Sequence, residues 1–103
     1  MLIIKSHNQV PVRLTDERWE HIILRHPEMD GQRDRVLETL GKPDMIQEGD
    51  FGELLALRFF KQTSLTSKFL VVVYKEVSAD DGFILTTYFT SRPAAGRKTI
   101  WKQ

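Results

Sequence analysis

The chain contains no cysteine. That absence removes disulfides, thiolate nucleophiles and cysteine-ligated zinc sites together, and it fits a reducing compartment. Gly-rich phosphate loops, HExxH and EF-hand patterns are also missing, and no cluster of Asp, Glu and His has metal-ligand spacing. Neither a cofactor nor a metal is expected. No run approaches the ~18 apolar residues of a membrane span, and the opening MLIIKSHNQ has too short an apolar stretch for a signal peptide. These absences point to a cytoplasmic protein without a membrane partner. There is no internal repeat, low-complexity segment or linker, and 103 residues suit one domain with one core.

Of one-sided charge there is little, since the net value is +1, so the overall field neither demands nor excludes nucleic acid. Its distribution is more informative. Between Asp44 and Glu53 every charge is acidic, and after Asp81 every charge is basic: Arg92, Arg97, Lys98 and Lys102. The last ten residues, 94–103, read as a loosely attached basic tail that either contacts phosphates or only solubilises the chain.

What is present begins with TDERWEHIILRHPEM, from Thr15 to Met29. Wound as a helix, it puts Trp19, Ile22, Ile23 and His26 on one stripe facing a core. Thr15 suits the N-cap, Asp16 and Glu17 suit the positive end of the helix dipole, and Pro27 ends the helix on His26. His26 is then either a cap bonded to backbone or a proton-transfer group at the edge of the core. Arg18, His21 and Arg25 form a basic flank, either a solvated face or a ligand surface.

Leu2 to Lys5 and Val10 to Leu14 suggest a short hairpin, with Pro11 placing its second strand at a sheet edge. Val36, Leu37 and Leu40 mark a second helix that opens at Asp30 or Gly31 and is closed by Gly41 and Pro43. From Met45 the pattern becomes extended: Met45 to Glu48, Leu54 to Gln62, Phe69 to Tyr74 and Phe83 to Arg92, with a polar connector from Gln62 to Ser67. The run FLVVVY suits a strand buried on both faces in the middle of a sheet. Helices followed by consecutive strands imply an α+β fold, with two N-terminal helices on one face of an antiparallel sheet of about four strands.

Strict alternation puts Ile84, Thr86, Tyr88, Thr90 and Arg92 on one face of the last strand and Phe83, Leu85, Thr87, Phe89 and Ser91 on the other. Arg58, between Leu57 and Phe59, needs an anionic partner if it is buried, and we place it on the open face with Tyr88, Thr90 and Arg92. That face, with His26 arriving from the rim, has the parts for metal-free RNA cleavage. A base takes the 2′-hydroxyl proton, guanidinium groups stabilise charge on phosphorus, and an acid protonates the leaving 5′-oxygen. Tyr88 could stack on a base. The plainer alternatives are surface ion pairs of Arg58 and Arg92 with Glu53, Glu76 or Asp81, and cross-strand packing for Tyr88 and Thr90.

HPEM (His26 to Met29), VLETLGKPDMI (Val36 to Ile46), FLVVVYKE (Phe69 to Glu76) and FILTTYFTSRP (Phe83 to Pro93) together resemble the small nuclease domains of the barnase, EndoU, colicin and RelE superfamily, most closely its phage-associated branch. The likeness spans roughly residues 14 to 93. It implies a metal-independent endoribonuclease, with function carried by His26, by Arg58 or Lys61, and by Thr87 or Thr90, and the expectation that follows is a toxin or a phage- or element-borne module. The combined expectation is catalysis by His26, Arg58 and Thr90 and RNA contacts from Lys61, Tyr88, Arg92, Arg97 and Lys98. The partners it implies are RNA (tRNA, mRNA or ribosome) and a cognate inhibitor protein. Neither His7, in a loop, nor His21, on the flank, is a clear second catalytic histidine. A non-catalytic module binding nucleic acid or protein on the same scaffold is the competing reading.

Overall fold

The computed structural model describes residues 1–63 and 68–103. In chain order the elements are β1 (Leu2–Lys5), β2 (Pro11–Leu14), α1 (Asp16–Arg25), a 3₁₀ turn (Pro27–Met29), α2 (Arg33–Gly41), β3 (Met45–Glu48), β4 (Leu54–Phe60), β5 (Lys68–Ser78), β6 (Asp81–Thr90) and β7 (Thr99–Lys102). Residues 64–67 of the expected polar connector lie outside the described residues. No helix among the described residues is long and apolar enough to cross a membrane.

The first helix forms as its residues dictate. Thr15 Oγ1 accepts from the Arg18 N–H at 3.1 Å, Asp16 and Glu17 occupy the first turn, and the His26 N–H closes the helix on the Ile22 carbonyl at 2.7 Å. Trp19 and Ile22 are buried, and Ile23 packs beside them. In α2 the buried stripe is Val36, Thr39 and Leu40, with the Thr39 hydroxyl donating to the Arg35 carbonyl at 2.7 Å.

The strands make one sheet in the order β1-β2-β6-β5-β4-β3-β7. This overturns the expected antiparallel sheet of about four strands: the described residues form seven, and the sheet is mixed because β2 runs parallel to β6, pairing Val12 with Gly82 and Arg13 with Phe83. The α+β class stands. The N-terminal hairpin is not an appendage, and Thr99–Lys102 is an edge strand on β3 instead of a loose tail. β1, β2 and β7 are four residues each, and the attachments of β2 to β6 and of β7 to β3 are long-range pairings that local periodicity does not reveal. Pro11 also sits one strand inside the edge. It is tolerated because the short parallel ladder starts at Val12. Gly82 is required where β2, β5 and β6 meet, since a Cβ there would lie 2.7 Å from the Lys75 carbonyl oxygen.

At the centre of the order lies β5, with three strands on each side. Leu70, Val72 and Tyr74 face the helices and Val71 the opposite side, all buried. Alternation along β6 is broken by a bulge at Leu85: Val73 pairs with Thr86, but Tyr74 pairs with Ile84. Ile84 therefore joins Thr87 and Phe89 on the helix side, and Thr86, Tyr88 and Thr90 turn to the other face. The expected grouping of Ile84 with Tyr88 fails for that reason. On this second face Leu55, Leu57 and Val71 form a small core, covered by residues 91–98 as they cross from β6 to β7.

Tyr74 is fully buried, and its hydroxyl has no hydrogen-bond partner among the described residues. Burial, with a contribution from the Glu76 carboxylate, pushes its pKa far above the ordinary tyrosine value. Below pH ~10 the folded and unfolded chains both keep this proton; above it only the unfolded chain ionises, so folding loses up to ~1.4 kcal/mol per pH unit. Tyr74→Phe should flatten that alkaline decline and, by removing an orphan hydroxyl, leave stability at pH ~7 unchanged or slightly raised. Melting curves of both proteins at pH ~7 and ~11 check this. Equal alkaline losses would contradict it.

Candidate functional site

Because β2 pairs with β6 only as far as Phe83, the remainder of β6 has no strand partner on that side among the described residues. The end of α1 and the 3₁₀ turn pack there instead. The chain direction set by Pro27 brings the His26 ring to Tyr88, with centroids 5.8 Å apart and planes tilted by 32°. Glu28 follows two residues later and places Oε2 3.7 Å from His26 Nδ1; the His26 side chain is one-third exposed. A carboxylate on the Nδ1 side can orient the ring and leave Nε2 for proton exchange.

Tyr88 links this rim to the second face of the sheet. With Thr90, Arg92, Gln47, Ala94 and the apolar trio Leu55, Leu57 and Val71, it lines a cavity of about 120 Å³ beneath the crossover. The Thr90 hydroxyl donates to the Arg92 carbonyl at 3.0 Å, and the Arg92 side chain is exposed. Four of the expected residues, His26, Tyr88, Thr90 and Arg92, thus occupy one rim and the cavity behind it.

Arg58 does not join them. It alternates with Leu57 and so points to the helix side, with Ala56 and Phe60. There its Nη1 donates to the Lys42 carbonyl at 2.7 Å, Nη2 lies 3.3 Å from Glu38 Oε2, and Asp44 Oδ1 is 3.9 Å away. The guanidinium ties the end of α2 to the sheet. The expectation of a shared face with Tyr88 is corrected by the parity of β4, and the acids beside Arg58 are Glu38 and Asp44. Of the acids expected to pair with Arg58 or Arg92, Asp81 holds Arg13 at 2.9 Å, and Glu76 accepts from Ser6 and Asn8.

Lys61 is exposed just beyond β4. Arg97, half-buried in the crossover, lies 3.6 Å from Asp50. The exposed Lys98 takes the Glu48 N–H on its backbone carbonyl at 2.9 Å. The acidic and basic blocks of the sequence meet here: donation from the Phe51 N–H holds the Glu53 carboxyl below its usual value, and Arg97 reinforces the effect. Of the other histidines, His7 stacks on Trp101 at 4.1 Å and His21 is exposed on α1.

Two site residues were missed. Glu28 lay within the HPEM motif, and its spacing from His26 was the available signal. Gln47, only 3% exposed, stood as a polar residue between Ile46 and Glu48, with no signal that the crossover would bury it. Among the described residues no group of three or more His, Asp or Glu is placed to hold a metal ion. Compared with protein-family models, with curated proteins and with solved structures, the chain matches none.

Proposed function

We propose that this chain is a metal-independent endoribonuclease of the barnase, EndoU, colicin and RelE type, working at the rim where His26 meets Tyr88. The observation that carries the reading is the one-third-exposed His26 imidazole, flanked by the Glu28 carboxylate at 3.7 Å and by Tyr88, which also lines the cavity that Arg92 borders. His26 takes the proton of a ribose 2′-hydroxyl, O2′ attacks phosphorus, and the P–O5′ bond breaks. The departing 5′-oxygen is protonated from water at the open rim. Arg92 offsets the charge that develops on the phosphoryl oxygens, and Tyr88 stacks on a base. Arg58 has a structural part in this scheme. The sequence motifs around His26 and along β6 support the same reading. The corresponding setting is the cytoplasm, a toxin or phage- or element-borne module, a tRNA, mRNA or ribosomal target, and a cognate inhibitor protein.

The competing reading, a binding module without catalysis, is favoured by one observation: the guanidinium of Arg58 is occupied by Lys42, Glu38 and Asp44 on the opposite face. End-labelled single-stranded RNA incubated with the protein in chelator separates the two. Cleavage that leaves 2′,3′-cyclic phosphate ends and spares a 2′-deoxy strand is expected. Intact RNA that is nevertheless bound would favour the binding module.

A further inference from the structure

The rim proposed above has a cavity behind it, and one of the residues that line it carries a buried polar atom without a partner among the described residues. Gln47 is 97% buried by its 3% exposure; its Nε2 donates to the Ala94 carbonyl at 3.0 Å, and its Oε1 has no hydrogen-bond partner among the described residues. The Ala94 bond fixes which way the amide points, because a flipped amide would set two oxygens against each other. A buried acceptor without a donor costs roughly 1–3 kcal/mol unless something satisfies it. One water needs ~10–15 Å³, and the cavity that Gln47 lines holds about 120 Å³. There is room for a ring.

The rest of the lining suits a heteroaromatic ring carrying a phosphate. Leu55, Leu57 and Val71 give an apolar floor, the Tyr88 ring stands at one side, and Arg92 supplies a cation. We infer that this cavity is a base-recognition subsite, in which Gln47 Oε1 accepts from the exocyclic amino group of a nucleotide held by Arg92 through its phosphate. The inference rests on the proposed nuclease reading and deepens it by naming the substrate edge that is read. Cytosine offers an amino donor next to a bare ring nitrogen. Uracil offers only N3–H, between two carbonyl oxygens that would confront Oε1, and leaves the amide poorly satisfied.

Titration of the wild-type protein with three ligands of similar size tests this: 3′-CMP, 3′-UMP and the 3′-CMP whose amino group is N4,N4-dimethylated. We expect 3′-CMP to bind on the order of 10-fold more tightly than either of the others, with shifts at the Tyr88 and Thr90 amides. In Gln47→Leu the advantage should vanish, whereas Arg92→Gln should weaken 3′-CMP and 3′-UMP alike. Equal affinities, no binding, or a dimethylated ligand that binds like 3′-CMP would each overturn the subsite. The wild-type arms decide this even if Gln47→Leu fails to fold. Because product binding is read without turnover, an inactive protein that still discriminates would sink the cleavage reading alone. An active, His26-dependent nuclease without discrimination would sink the subsite alone.

Discussion

Val72→Asp should leave the chain unfolded at room temperature or melting tens of degrees below the wild type. Val72 has no exposed surface and lies on the helix side of β5, with Ala56 of β4 and Thr87 of β6 as its neighbours across the sheet. Among the described residues, the core cluster that surrounds an aspartate there is made of hydrophobic side chains and holds no cation. It must ionise unpaired or take up a proton and stay poorly bonded, at a cost of several kcal/mol. Domains of this size hold ~5–15 kcal/mol in total, and each kcal/mol moves the melting temperature by ~4–8 °C. Thermal melts followed by circular dichroism check it. A variant melting within a degree or so of wild type would show that β5 is not the centre of the sheet.

The elements legible beforehand were those with a strong local signal. The α1 stripe, its Thr15 cap and its end at His26 follow from side-chain spacing and Pro27 within fifteen residues, and the three valines of β5 marked a strand buried on both faces. The hidden features depend on distant partners. β7 is four residues long and gains its place by pairing Trp101 with Ile46, 55 positions earlier. The bulge at Leu85 is one residue, yet it reverses which face Ile84 occupies. Arg58 was misplaced for a related reason: its sequence neighbours Leu57 and Phe59 are both apolar, so parity alone could not say which side carried acids. The acids proved to lie on α2 and just before β3. In the site, His26, Tyr88, Thr90 and Arg92 were readable from one helix end and one strand. Gln47 was not, because residues 94–103 read as a tail in the sequence and carry no sign of the crossover that buries it.

His26→Gln should lower RNA cleavage by on the order of 10²-fold or more and remove one limb of the pH profile, while leaving the fold intact. The geometry says why folding should survive. His26 caps α1 through its backbone N–H, which glutamine retains, and its side chain gives up only the partly exposed contacts with Tyr88 and Glu28. Such contacts are worth about 1 kcal/mol, a few degrees of melting temperature. Proton transfer has no such substitute, because an amide does not exchange protons near neutral pH. The decisive measurement is the single-turnover cleavage rate and the melting temperature of His26→Gln, taken on one preparation in chelator. A near-wild-type melt with cleavage reduced at least ~10²-fold is the predicted result. A destabilised variant that cleaves at the wild-type rate per folded molecule would make His26 a structural cap and contradict the assignment of this rim as a catalytic site.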